Sequence, residues 1–130
     1  MKVHHIGYLV KSIDESIGYF LDLGFEISKT KSFDEIRNIN ICFLVKDGLC
    51  IELIEGINEM SVVYKLYEKY KNVAYHICYE SNDISKDIKT LESKGYTTVS
   101  DIEAAPCIEN KKVVFLYNRN IGFIELVEEG

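Results

Sequence analysis

Gly122-Phe123-Ile124-Glu125-Leu126-Val127-Glu128 nearly repeats an earlier stretch, Gly48-Leu49-Cys50-Ile51-Glu52-Leu53-Ile54-Glu55. Each copy is a short apolar, β-branched run closed by charge, which is the pattern of a strand. Side chains alternate along a strand, so Ile and Leu face one way and the Glu between them faces the other. A carboxylate among apolar neighbours is costly to bury unless something pairs with it. Two in matched settings suggest a shared partner.

Working outward, the repeat covers most of the chain. His4-His5-Ile6-Gly7-Tyr8-Leu9-Val10 reads as a strand, and Ser12-Ile13-Asp14-Glu15 fits a capping box. Ile13, Ile17, Phe20 and Leu21 recur at helical spacing up to Gly24. Strands follow over 25–29, 39–45 and 51–54, the last introduced by the turn signal Asp47-Gly48. The second half repeats this order: Tyr75-His76-Ile77-Cys78-Tyr79, a helix capped by Asp83 and ended at Gly95, then strands near 96–99, 112–117 and 123–127. His5 to His76 and Gly24 to Gly95 are offset by 71 residues, and Glu52 to Glu125 by 73. That steadiness identifies an internal duplication of β-α-β-β-β units, modules 1–57 and 73–130, in one domain spanning 1–130. Val62, Val63, Leu66, Tyr67 and Tyr70 predict a linker helix over 59–71. Ala104–Asn110, around the single Pro106, reads as a loop. The predicted fold class is α+β: two modules pairing their sheet edges into an open half-barrel, helices outside.

Composition narrows the function. The net charge of −6 argues against a nucleic-acid-binding surface, which would normally be basic. No apolar run approaches the roughly 18 residues of a membrane span, and Met1-Lys2-Val3-His4-His5 does not open a signal peptide. Cys42, Cys50, Cys78 and Cys107 form no C-x-x-C pair, and three lie in strand-like runs, which favours a reducing cytoplasm over disulfides. Arg37, Arg119 and Lys111-Lys112 read as exposed charge, and Tyr8, Tyr19, Tyr64, Tyr67 and Tyr75 as packing residues.

Four residues stand out by duplication: His5, Glu52, His76 and Glu125. Two imidazoles and two carboxylates suit a divalent metal such as Zn²⁺, Ni²⁺, Co²⁺ or Mn²⁺. Satisfied core histidines are the competing reading, and spacing alone weighs the two about evenly.

H-H-I-G-Y-L-V, I-E-L-I-E, Y-H-I-C-Y-E and G-F-I-E-L-V-E together resemble the paired-module signature of the vicinal oxygen chelate superfamily, the glyoxalase/bleomycin-resistance fold. The resemblance implies that His5, Glu52, His76 and Glu125 hold one divalent metal, with His4 a packed or solvated bystander. It also implies proton abstraction α to a carbonyl, in the manner of lactoylglutathione lyase or methylmalonyl-CoA epimerase, on a thiol adduct or an acyl-CoA. Glu125 would serve as ligand and base, and Glu52 as acid/base on the other face. Asp34 or Glu35 stands near the place of an extra acid in the epimerase branch. A metal-free binding or resistance protein, an extradiol-type dioxygenase and a homodimer are the alternatives that the family leaves open.

Overall fold

A computed structural model describes residues 1–129. The chain is α+β. Strands β1 (Val3–Leu9), β2 (Glu26–Asp34), β3 (Ile39–Lys46) and β4 (Leu49–Gly56) surround helix α1 (Ile13–Asp22) in sequence. Helix α2 (Tyr64–Tyr70) leads to β5 (Val73–Ser81) and α3 (Ile84–Glu92). Strands β6 (Thr97–Thr98), β7 (Glu103–Ala105), β8 (Lys111–Asn118) and β9 (Gly122–Glu128) complete the chain. Two compact units result, one of Ile6–Ala74 and one of Met1–His5 with the chain from Tyr75 onward, so the boundary falls inside β1.

In the Ile6–Ala74 unit the strand order is β2-β3-β4-β1. Here β1 runs parallel to β4, with Gly7 opposite Glu52, and β3 runs antiparallel to it, with Phe43 opposite Glu52. Asp47 and Gly48 both adopt positive φ, 52° and 81°, as a two-residue hairpin turn matched to strand twist requires. Val10, Ile13, Cys42, Leu44, Ile51 and Leu53 form the core between α1 and the sheet, flanked by Tyr8, Ile17 and Phe20. Ile51 and Leu53 therefore face the helix and Glu52 faces away from it.

The second unit repeats the plan, in the order β1-β5-β9-β8-β6 with β7 also on β8. β5 runs parallel to β9 with Cys78 opposite Glu125, and β8 is antiparallel to β9 with Phe115 opposite Glu125. Ile84, Val114, Leu116, Ile124 and Leu126 make its core beneath α3, with Tyr79 against it. His76, three residues from Tyr79, is on the sheet face opposite the helix, together with Glu125. The duplication is thus a duplication of register, residue for residue.

Both helix caps predicted from sequence form: the Ser12 hydroxyl accepts from the Glu15 N–H, and the Asp83 carboxylate accepts from the Lys86 N–H. Four expectations need correction. The linker helix is shorter than 59–71, because Asn58 Oδ1 accepts from the Met60 N–H and Ser61 Oγ from the Val63 N–H. Such local bonds offer the backbone an alternative to helix. Leu21 and Tyr19 of α1 are exposed (41% and 75%), since the inward stripe of this short helix is already filled by Ile13, Ile17 and Phe20. Tyr64 is likewise exposed. The segment 104–110 is not a plain loop: Ala105 ends β7, and Pro106–Ile108 forms a 3-10 turn that buries Cys107 and Ile108.

Candidate metal centre

The unit containing β5 and β9 brings three of the four duplicated residues together. His5 arrives on β1, His76 on β5 and Glu125 on β9. All three are buried, at 0%, 4% and 5% exposure, which leaves solvent no part in satisfying them. Glu125 Oε1 lies 3.1 Å from His76 Nε2 and 3.2 Å from His5 Nε2. The two Nε2 atoms are 3.3 Å apart. Two imidazole nitrogens and a carboxylate oxygen therefore form a nearly equilateral triangle.

Burial alone would raise the pKa of Glu125, but the hydrogen bonds from His5 and His76 and their charge outweigh it, so the carboxyl is held well below the usual carboxylate range. The backs of the two rings differ. His5 Nδ1 lies 2.8 Å from His4 Nδ1. His76 Nδ1 is buried and has no hydrogen-bond partner among the described residues. That ring is instead packed edge-on by Tyr75 and Phe115, with centroids at 4.4 Å and 5.0 Å. The pKa of His4 is lowered, first by burial and then by the neighbouring His5.

The donor set fits a divalent metal. Ligands held 2.0–2.1 Å from a tetrahedral Zn²⁺ lie roughly 3.4 Å from one another, close to the edges of this triangle. Imidazole nitrogen and carboxylate oxygen are also the donor types that Zn²⁺, Ni²⁺, Co²⁺ and Mn²⁺ accept.

Glu52, the fourth duplicated residue, belongs to the Ile6–Ala74 unit, where it is buried on β4 with Gly7 and Phe43 opposite it. Asp34 is buried too, but its carboxylate is taken up locally. Oδ1 accepts from the Ile36 and Arg37 N–H groups, and Oδ2 is 2.9 Å from the Arg37 guanidinium. Asp34 thus closes the turn after β2, and Arg37 is a half-buried structural partner rather than exposed charge. Glu35 is exposed in the same turn. Sequence reading missed this pair, although the i,i+3 Asp-Arg spacing was a signal for it. It also missed the bond between His4 and His5, because alternation places adjacent strand residues on opposite faces and the rings meet only by their rotamers.

Residues 4–115 match the family model Glyoxalase_4, described as the Glyoxalase/Bleomycin resistance protein/Dioxygenase superfamily. No curated protein matches the chain. Among solved structures, a hypothetical protein from Bacillus halodurans superposes with a TM-score of 0.87 at 24% identity, covering 99% of this chain and 94% of that one. Methylmalonyl-CoA epimerase from Mycobacterium tuberculosis superposes with a TM-score of 0.84 at 23% identity, covering 99% and 88%. A Streptomyces coelicolor methylmalonyl-CoA epimerase variant in complex with 2-nitronate-propionyl-CoA gives 0.82 at 22%, covering 100% and 98%. At these identities the likeness establishes the fold.

Proposed function

The chain belongs to the glyoxalase/bleomycin resistance protein/dioxygenase superfamily, and on that premise we propose that it is a metal-dependent lyase or isomerase that moves a proton α to a carbonyl. The observation that carries this reading is the buried triangle of His5 Nε2, His76 Nε2 and Glu125 Oε1, with edges of 3.1–3.3 Å. Glu52 is proposed as the fourth ligand because it holds in β4, opposite Gly7 and Phe43, the place that Glu125 holds in β9, opposite Cys78 and Phe115. A divalent cation there supplies Lewis acidity toward the carbonyl oxygen of a substrate.

The residues do the rest. Both histidines must present a bare Nε2 to serve as ligands. They then no longer donate to Glu125, which stays ionised and so remains able to accept a proton. Glu125 takes the α-proton, and Glu52 acts as the acid/base on the opposite face. The substrate proposed is an acyl-CoA thioester or a thiol hemithioacetal. Acyl-CoA ligands occur in the epimerase structures of the same fold, one of which is described with methylmalonyl-CoA and NH4+. Within the described residues no helix is long and apolar enough to cross a membrane.

Two assays test the proposal: exchange of the α-proton into D₂O with methylmalonyl-CoA, and turnover of methylglyoxal with glutathione or another thiol. Activity lost with EDTA, restored by Zn²⁺, Ni²⁺, Co²⁺ or Mn²⁺ and absent from Glu125→Gln is the expected result. Exchange that survives complete metal removal overturns it. Two histidines and one carboxylate also match the Fe(II) site of non-haem oxygenases. Fe(II)-dependent oxygen uptake on a catechol, with no proton exchange on either substrate, would favour that second reading.

A further inference from the structure

Each candidate ligand histidine follows a different residue on its strand: His4 precedes His5 on β1, and Tyr75 precedes His76 on β5. His4 Nδ1 and His5 Nδ1 are 2.8 Å apart, a hydrogen-bond distance between two atoms of which only one can carry the shared proton. His5 Nε2 is the atom turned toward Glu125 and His76. For Nε2 to offer its lone pair, the proton of a neutral His5 must reside on Nδ1. Nδ1 is then the donor, and His4 Nδ1 the acceptor, with the proton of His4 on its own Nε2.

We infer that His4 is a positioning residue, which holds the His5 ring in the orientation that presents Nε2 to the centre and accepts its Nδ1–H when Nε2 serves as a ligand. This rests on the metal-centre reading for its consequence, though not for its geometry. Metal-ligating histidines generally donate their second N–H to an outer partner, and loss of that partner costs roughly 10–100-fold in metal affinity. Here the partner is the adjacent residue in the chain. His4 is half-buried and outside both hydrophobic clusters, so a substitution leaves those clusters in place.

The test uses the full chain as wild type, His4→Leu, which removes the acceptor, and His4→Gln, which supplies a carbonyl acceptor. Histidine ¹⁵N NMR reads the protonation of His5 Nδ1 in metal-free and Zn²⁺-loaded protein, and titration with Co²⁺ reads affinity. The expected result is a His5 Nδ1–H that is hydrogen-bonded in Zn²⁺-loaded wild type and has lost that bond in Zn²⁺-loaded His4→Leu, with Co²⁺ affinity lowered about 10–100-fold there and largely recovered in His4→Gln. A Zn²⁺-loaded wild type whose His5 Nδ1–H is not hydrogen-bonded overturns the inference. So does His4→Leu that keeps both the hydrogen-bonded Nδ1–H signal and the Co²⁺ affinity of wild type. If wild type binds Co²⁺ no better than His5→Ala, the metal-centre reading fails, and the Nδ1 signal by itself then decides the role of His4.

Discussion

His5 and His76 stand at matched places in a duplicated strand, each aimed at the same carboxylate oxygen, yet their rings are held differently. Behind His5 is a polar neighbour, His4, at hydrogen-bond distance. Behind His76 are two aromatic edges, Tyr75 and Phe115, and a buried Nδ1 with no partner among the described residues. A hydrogen bond fixes both orientation and tautomer, whereas aromatic packing fixes orientation alone. The duplication therefore preserved the donor atoms while letting their supports diverge. In chemical terms His5 has an acceptor for its Nδ1–H when Nε2 serves as a ligand, and His76 has none among the described residues.

The largest expected effect tests whether the two histidines are equivalent at all. His5→Ala and His76→Ala should each reduce Co²⁺ or Zn²⁺ binding by well over the 10–100-fold cost of an outer partner, because each removes a donor atom. Equilibrium titration of the purified variants measures this. If His76→Ala keeps near-wild-type affinity while His5→Ala does not, the triangle is not the ligand set.

Next in size is the carboxylate they share. In chelator-treated protein Glu125→Gln should lose about 2–3 kcal/mol at pH 6, the worth of charge-assisted hydrogen bonds in a buried place. Its folded pKa is depressed, so the stability it confers is fully present above the unfolded carboxylate value of about 4.3. That stability is lost as pH falls through the lower folded value. Urea melts from pH 6 to pH 2 should therefore show the wild type converging on Glu125→Gln only on the acid side of about pH 4. A gap that widens with acid would mean that Glu125 is held protonated, and the two histidines would then not be its donors.

Asp34 supplies the control, since it is a buried carboxylate satisfied by Arg37 and two backbone N–H groups instead of by imidazoles. Asp34→Asn should cost about 1–3 kcal/mol in a thermal or urea melt, because it leaves the half-buried Arg37 without its anion. Metal affinity and proton exchange should not change. A loss of exchange with stability and metal binding intact would make Asp34 the extra acid and remove its assignment as a turn residue.

How much of this was legible in the sequence follows from which interactions obey a period. The strands, both caps and the outward Glu in each I-E-L motif follow from alternation and helical spacing, so they could be read directly. The matched offsets also pointed to His5, Glu52, His76 and Glu125, of which His5, His76 and Glu125 lie 3.1–3.3 Å from one another. What failed has no period. The Asn58 and Ser61 side chains break the linker helix through bonds two residues long, and the Pro106 turn buries Cys107 through a 3-10 geometry that no pattern of apolar residues announces. His4 was read as a bystander for the same reason: alternation gives the face a side chain leaves from, not the direction in which its ring finally turns.

The smallest expected effect bears most directly on the contrast between the two histidines. Tyr75 occupies in β5 the place of His4 in β1, and its ring packs against His76 with centroids 4.4 Å apart. Tyr75→His would put an imidazole nitrogen where an acceptor for the His76 Nδ1–H is wanted. It would also forfeit an aromatic contact worth about 0.5–1.5 kcal/mol. A new hydrogen bond returns about 0.5–1.5 kcal/mol, so stability should stay near that of wild type. The hydrogen bonding of His76 should not. In ¹⁵N NMR of the Zn²⁺-loaded variant the His76 Nδ1–H should become hydrogen-bonded, and Co²⁺ affinity should tighten by a few-fold. Tyr75→Phe, which keeps the ring and offers no acceptor, should leave both unchanged. If Tyr75→His and Tyr75→Phe behave alike, a neighbouring imidazole is not what holds a histidine Nδ1–H on these strands, and the difference between His5 and His76 has another cause.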